Sequence, residues 1–309
     1  MNHSQYNLAP IALFVYNRPE HTRRTVESLA STDLADQSDL YIFSDGAKTP
    51  EADSAVKAVR DYVSSIDGFK SVTVVERPEN LGLARSVMTG VTDLVDRFGQ
   101  IIVLEDDMLF SRGFLDYHNK ALTKYRDEKS VLQISGHVFP FPRVAETDAA
   151  FFMPLSTSQG WSTWKRAWKL FDPEVKNAGR LEQDKGLRSR FDLDGAFPYY
   201  AMLKAQLEGN IDSWAIRWWW SFFDNNGLCL FPRKSLIVNI GFDDQATHTK
   251  GEDSYYNDAN WSSGRTVDQL PDRVCIETVS WGRLKKYLAR KGNPPLIKKI
   301  FRFLKKMIG

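Results

Sequence analysis

Apolar residues in the first third of the chain come in short bursts, each closed by a polar cluster. Residues 11–16 form a β-branched and aromatic run that stops at Asn17, Arg18 and Pro19, and residues 40–43 stop at Ser44, Asp45 and Gly46. Residues 71–75 lead to Arg77, Pro78, Glu79 and Asn80, and residues 101–104 run straight into Glu105, Asp106 and Asp107. Between the bursts the pattern is helical. Helices are predicted over 21–29, over 50–66 with Val56, Val59 and Val63 on one face, and over 83–98. Strand runs alternating with helices specify an α/β fold with a mostly parallel central sheet and helices on both faces. Ligands of such sheets sit beyond the carboxyl ends of the strands, where all four polar clusters fall.

The second half is less regular. Strands are predicted at 131–134, 151–155, 228–231 and 236–240, and helices at 162–171, 199–208 and 214–223, with a charged excursion over 172–194. Trp161, Trp164 and Trp168 recur at helical spacing, and Trp214, Trp218 and Trp219 form a second such group; most of them read as core. Trp161 follows a glycine and is the aromatic expected to stack on a ring-shaped ligand such as a sugar. With no linker between the halves, both are read as one body, divided into 1–135 and 136–282.

Composition narrows the class. The 309 residues are 42% apolar and 26% charged, enough for a sizeable core and against disorder. No apolar run approaches the roughly 20 residues that span a bilayer, and residues 1–9 lack the apolar stretch of a secretory signal, so a cytoplasmic location is expected. Cys229 and Cys275 are the only cysteines and form no CxxC pair, which leaves a disulfide framework or cysteine-based zinc site without support. His118 and His137 stand in no zinc-ligand spacing.

The net charge of +2 hides an asymmetry. Residues 278–309 hold ten of the 41 bases and none of the 39 acids, so residues 1–277 carry 31 bases against 39 acids. An acidic body argues against a nucleic-acid partner.

The carboxylates carry the strongest chemical signal. Three acids in a row at a buried strand's end repel one another unless a cation compensates, and hard divalent ions such as Mg²⁺ or Mn²⁺ favour oxygen ligands. Asp45-Gly46 reads equally as a turn dipeptide, and Asn80 as a plain N-cap. The segment from Asn80 to Arg85 opens a helix, where amides and the helix dipole favour an anion.

Taken in order, Asn17-Arg18-Pro, Ser44-Asp45-Gly, Asn80-Leu-Gly-Leu-Ala-Arg85 and Glu105-Asp-Asp107 resemble glycosyltransferases of the GT-A fold. Glu105-Asp-Asp-Met, Gly113-Phe-Leu-Asp-Tyr and Gly160-Trp161 are similar to the N-acetylglucosaminyltransferase I group of inverting enzymes, over roughly residues 10–250. The resemblance implies that Asp107 is the direct ligand of Mn²⁺ or Mg²⁺, supported by Glu105 and Asp106. Asp45 would hold the nucleobase or ribose, and Arg18, Asn80 and Arg85 would line the donor side. His248 would belong to a loop over the diphosphate, and Asp212, in Ile211-Asp-Ser-Trp214, would be the general base. Ser213 stands where that group carries a second Asp, and the excursion over 172–194 has no counterpart in it. That group's animal members carry a membrane anchor and stem not found in this sequence, so the expectation is a bacterial-type enzyme with a UDP-linked donor and a glycan or lipid-linked, lipopolysaccharide-type acceptor.

The end of the chain is read physically. On a helix, Leu296, Ile297, Ile300, Phe301, Phe303, Leu304, Met307 and Ile308 gather on one side, with Lys298, Lys299, Arg302, Lys305 and Lys306 opposite. Residues 283–309 are therefore expected to form a basic amphipathic tail that lies on an anionic membrane surface through 296–308. Two competing readings are a sugar-phosphate nucleotidyltransferase, which should show a Gly-rich loop after the first strand, and a non-catalytic membrane-associated module on the same fold. Asn17-Arg18-Pro19-Glu20 contains no glycine, and retention of all the acids speaks against the second.

Overall fold

A computed structural model describes residues 7–141, 149–241 and 257–291. Its first part alternates as the pattern requires: β1 (Ile11–Val15), α1 (Pro19–Ala30), β2 (Asp39–Ser44), α2 (Asp53–Val63), β3 (Ser71–Glu76), α3 (Gly82–Phe98) and β4 (Gln100–Glu105). Every residue of β1 is buried, as in a strand covered on both faces. Strand β3, by contrast, lies at the sheet's edge and has exposed positions. Helix α2 buries Val56, Val59 and Val63, and α3 ends at Gly99 in the left-handed conformation.

Then come β5 (Met108–Phe110), α4 (Phe114–Lys124), β6 (Val131–Ser135), β7 (Phe151–Met153), β8 (Trp161–Trp164) and the single turn α5 (Lys165–Trp168). Helices α6 (Arg180–Gln183) and α7 (Lys185–Phe191) fill the charged excursion. They precede α8 (Tyr199–Leu207), α9 (Trp214–Asp224), β9 (Leu228–Phe231), β10 (Ile237–Asn239) and α10 (Thr278–Lys291).

One sheet of eight strands, in the order β3-β2-β1-β4-β8-β6-β9-β7, runs through both halves. Its β3-β2-β1-β4 side is wholly parallel, β6 and β9 are parallel to each other, and β8 and β7 run against their neighbours. The architecture is thus mixed α/β with a mostly parallel central sheet. Strands β5 and β10 form a separate antiparallel pair.

Two expectations are corrected. Residues 161–164 are a central strand, not the start of a helix over 162–171: β8 fills the space between β4 and β6, pairing Val103 with Trp161 and Ser135 with Trp161. The buried Ser162 and Thr163 hydroxyls bond His118 and the Leu132 carbonyl at 2.7 and 2.8 Å. Tryptophans three and four apart look helical, but a short apolar run does not reveal which period it obeys. Residues 283–291, read as part of a separate tail, form the later turns of α10. That helix packs through Ser280, Leu284 and Leu288 and is tied to the body by Arg233 to Ser280 at 3.3 Å and Lys285 to Asp194 at 2.5 Å. Residues 292–309, which include the amphipathic segment, lie outside the described residues.

Candidate active site

The carboxyl ends of β1, β2 and β4 meet at one edge of the sheet, because these strands are parallel neighbours. Strand β4 delivers Glu105, Asp106 and Asp107 there, and α1 pins the turn that follows. The buried Thr25 hydroxyl donates to the Asp106 carbonyl at 2.9 Å and accepts from the Met108 amide at 3.1 Å. One turn further along α1, the Ser28 hydroxyl accepts from the Phe110 amide at 2.8 Å. These serve as side-chain partners for backbone groups that the sharp turn leaves over.

Arg18, which caps α1 ahead of Pro19, turns its guanidinium back onto the acids. Its Nη2 bonds Asp106 and also reaches Asp107 Oδ2 at 3.2 Å. The Asp106 side chain is 7% exposed and that of Asp107 16%, so Asp107 is the more outward of the two. Burial, and then the charges of Asp107 and Asp106, push the Glu105 carboxyl up to about 8. Burial also raises Asp106, against the pull of Arg18. For Arg18 burial acts downward, but the two carboxylates outweigh it and hold the guanidinium above its ordinary range. Arg18 thus ion-pairs with two of the three adjacent acids, while burial favours the neutral form of the third, Glu105.

Residues from far along the chain complete the surroundings of Asp107. Asn239, at the end of β10, donates from Nδ2 to Asp107 Oδ1 at 3.3 Å, and the Ile240 amide donates to the Asp107 carbonyl at 2.8 Å. Asn239 is itself gripped twice by Asn257, its amide donating to Oδ1 at 2.9 Å and its carbonyl accepting from Nδ2 at 2.7 Å. Gly241 lies so close that a Cβ there would overlap the Asp107 carboxylate. Thr25, Ser28, Asn239, Gly241 and Asn257 escaped the sequence reading; only the turn-like Asn239-Ile-Gly241 carried any local signal.

At the end of β2, Asp45 is buried and spends its carboxylate on backbone amides. Oδ1 accepts from Leu81 at 2.9 Å and Oδ2 from Gly82 at 2.9 Å. It thereby caps α3 from across the cleft, at the helix end where a negative charge is favoured. Asn80 is not the cap: its Nδ2 donates to the Gly46 carbonyl at 2.8 Å, and Leu81 holds the cap position. A Cβ on Gly46 would come within 2.6 Å of the Glu79 backbone, so glycine is what lets the two loops touch. Arg85 is exposed on the first turn of α3.

Asp212 lies just before α9, exposed, with Arg217 Nη2 at 2.8 Å from its Oδ1. Ser213, in place of the second acid, caps α9 through the Ile216 amide. Trp214 stacks on Trp161 with ring centroids 5.3 Å apart, and Trp161 pairs with Val103 two residues before Glu105. Trp161 itself has no exposed surface and packs among Trp168, Trp214 and Trp218. The expectation that it stacks on a sugar is corrected: the inward face of a central strand leaves no ring face for a ligand. His248 lies outside the described residues.

Among the described residues, no three His, Cys, Asp or Glu side chains converge as a self-sufficient metal cage. Asp107, partly exposed beside the more buried Asp106, suits a divalent ion that takes its other ligands from diphosphate and water.

An alpha-1,3-mannosyl-glycoprotein 2-beta-N-acetylglucosaminyltransferase of Arabidopsis thaliana is 29% identical over 194 residues, covering 56% of this chain and 41% of the relative. The chain thus matches less than half the length of that relative. Among solved structures, the mannosyltransferase PcManGT of Pyrobaculum calidifontis in complex with GDP-Man and Mn²⁺ aligns over 55% of this chain and 49% of its own, at 14% identity and a TM-score of 0.36. TarS of S. aureus aligns over 55% and 31%, at 14% identity and a TM-score of 0.37. The profile of glycosyl transferase family 2 matches residues 11–169, from β1 to just past α5 and a little over half of the chain. On that match the chain belongs to glycosyl transferase family 2 and is a glycosyltransferase.

Proposed function

We propose that this glycosyltransferase transfers a sugar, with inversion, from a nucleotide-sugar donor, UDP-linked, to a hydroxyl of a glycan or lipid-linked acceptor. The observation that carries the reading is the step of acids at the end of β4, with Asp107 more exposed than Asp106 and Arg18 ion-paired to both. Asp107 would hold Mn²⁺ or Mg²⁺, with Glu105 and Asp106 behind it. When bound, the ion neutralises charge that develops on the departing diphosphate.

The other roles belong to the chain's own groups. Asp45 and Asn80 shape the donor side by joining the β2 loop to the start of α3, while Arg18 and Arg85 supply positive charge for phosphate oxygens. His248 keeps the donor-side role implied by the resemblance. Asp212, oriented by Arg217, takes the proton of the acceptor hydroxyl as that oxygen bonds to the anomeric carbon. The bond from that carbon to the diphosphate oxygen breaks, and its electrons leave with the diphosphate.

A lipid-linked acceptor is favoured by the basic end of the chain, where α10 carries no acid and the same bias continues through 296–308. No helix among the described residues is long and apolar enough to cross a membrane, so attachment would be peripheral, at the cytoplasmic face.

The test is a pair of variants. Asp212→Asn should lower kcat by about 10²- to 10⁴-fold while nucleotide affinity holds. Asp107→Ala, and chelation of the native protein with EDTA, should abolish transfer. Full turnover in chelator would remove the metal from the mechanism, and loss of nucleotide binding in Asp212→Asn would move that residue to the donor pocket. Release of pyrophosphate from a nucleoside triphosphate and a sugar 1-phosphate, with formation of a nucleotide sugar, would favour a nucleotidyltransferase.

A further inference from the structure

We propose that Arg18 is a built-in counter-ion of the metal carboxylate, exchanged for the divalent cation when the donor's diphosphate arrives, so that metal and donor bind cooperatively. The inference rests on the metal-dependent reading above and adds a device that decides when the metal loads.

Three observations carry it. First, Arg18 occupies one oxygen of Asp107, and the other already has a partner. Its Nη2 lies 3.2 Å from Oδ2, while Oδ1 is held by Asn239 at 3.3 Å and the backbone of Gly241 closes in beside the carboxylate. A cation approaching Oδ2 meets a guanidinium already there. An arginine does not lose its proton to make room, so the guanidinium must move.

Second, the residue is built to move at one end only. Its carbonyl accepts from the Thr22 amide at 2.9 Å as the first bond of α1, which anchors the backbone. Its side chain is 35% exposed, and only Nη2 is bonded; Nε and Nη1 make no hydrogen bond to the described residues. Third, those two nitrogens belong to a planar fork that matches two oxygens of a phosphate. An arriving diphosphate thus offers Arg18 new partners and, in drawing it away, uncovers Asp107 for the cation.

Such an exchange is a coupling between two ligands and is reciprocal: diphosphate tightens metal binding as much as metal tightens diphosphate binding. Without nucleotide, the internal cation should keep divalent ions weakly bound. The acids alone would suggest the opposite, since three adjacent carboxylates ought to attract a metal unaided.

The experiment is a titration of Mn²⁺ followed by the electron paramagnetic resonance signal of the free ion. It is run on the full chain without nucleotide and with UDP or GDP, whichever the protein binds more tightly. Mn²⁺–nucleotide mixtures without protein provide the correction. In the native protein the nucleoside diphosphate should tighten Mn²⁺ binding by about tenfold or more, within the usual range of coupling between sites. Arg18→Met and Arg18→Gln should tighten Mn²⁺ binding without nucleotide by about tenfold and lose most of the coupling. Arg18→Lys, which keeps the charge, should retain weak nucleotide-free binding, and it carries the comparison if a neutral variant does not fold. A residue that merely supported the fold would weaken metal binding when replaced, not strengthen it. Unchanged or weaker nucleotide-free binding in both neutral variants overturns this inference alone. Absence of Mn²⁺ binding in the native protein even with nucleotide overturns the metal-dependent reading as well.

Discussion

At Gly241 a hydrogen stands where any other residue would press a Cβ against the Asp107 carboxylate. Gly241→Ala must either move the loop after β10 or turn Asp107 away from the cleft. Small displacements of a reacting group can cost up to about 10²-fold. The expected result is a drop of that order in kcat/KM for the donor with thermal stability nearly intact; a variant with native kinetics would show that Asp107 has room to adjust. His118 makes a separate prediction, about stability. It is buried against Phe114 and Tyr117, its Nδ1 is 2.7 Å from Ser162 Oγ, and burial pulls its pKa from 6.5 down to about 3. Below pH 6.5 the unfolded chain takes up a proton that the folded chain refuses until about pH 3. Stability from this group is therefore whole above pH 6.5 and declines as pH falls, by about 2 kcal/mol at pH 5. Urea midpoints measured from pH 7 to pH 4 should fall less steeply for His118→Gln than for the native protein, and parallel curves would contradict the shift. Of the residues around Asp107, the acids could be read from their place at the end of an apolar run. Asn239 could not, because it lies 132 positions from its partner.

Among the elements, α1 does more than cover the sheet. Its inward hydroxyls at Thr25 and Ser28, three residues apart and so on one face, hold the turn that presents the acids. Thr25→Val keeps the shape but strands the Asp106 carbonyl and the Met108 amide, at about 1–3 kcal/mol for each buried group left unpaired. Chemical denaturation should show that loss together with weaker nucleotide binding; a variant as stable as the native protein would mean that water takes the place of the hydroxyl. Helices α1, α2 and α3 were legible from their period, and strands β1 to β4 from apolar runs that each end in a polar cluster and alternate with those helices. Strand β8 was not. Its four residues, Trp-Ser-Thr-Trp, declare no period, and their state is settled by a slot between β4 and β6 that needs a strand.

For the whole molecule, the question is how the acidic body and basic end divide the work. Helix α10 belongs to the body, docked through Leu284 and Leu288, so a cut after it should leave the fold standing. Each base near an anionic membrane surface can add about 1 kcal/mol, and residues 293–309 contain five. Deleting 293–309 should therefore release the protein from anionic liposomes in a flotation assay while leaving transfer to a water-soluble acceptor unchanged. If the truncated chain still floats, or the full chain never does, the reading of 296–308 as the membrane-surface segment fails.

The sequence by itself determined the alternation of strands and helices, the strand ends at which the polar clusters gather, and the step of acids at Glu105 to Asp107. These are local properties, carried by the spacing of apolar side chains and by neighbours along the chain. Only the tertiary structure decided that Trp161 is core and not a sugar platform, that Asp45 caps α3, and that Asn239 and Gly241 close around Asp107. Each of those depends on which distant segment fills the space beside a residue, and no pattern within a window of the chain encodes that. The pairing of Arg18 with Asp106 and Asp107 lies between the two: both partners stood out as strand-end residues, but their contact exists because β1 and β4 are parallel neighbours in the sheet.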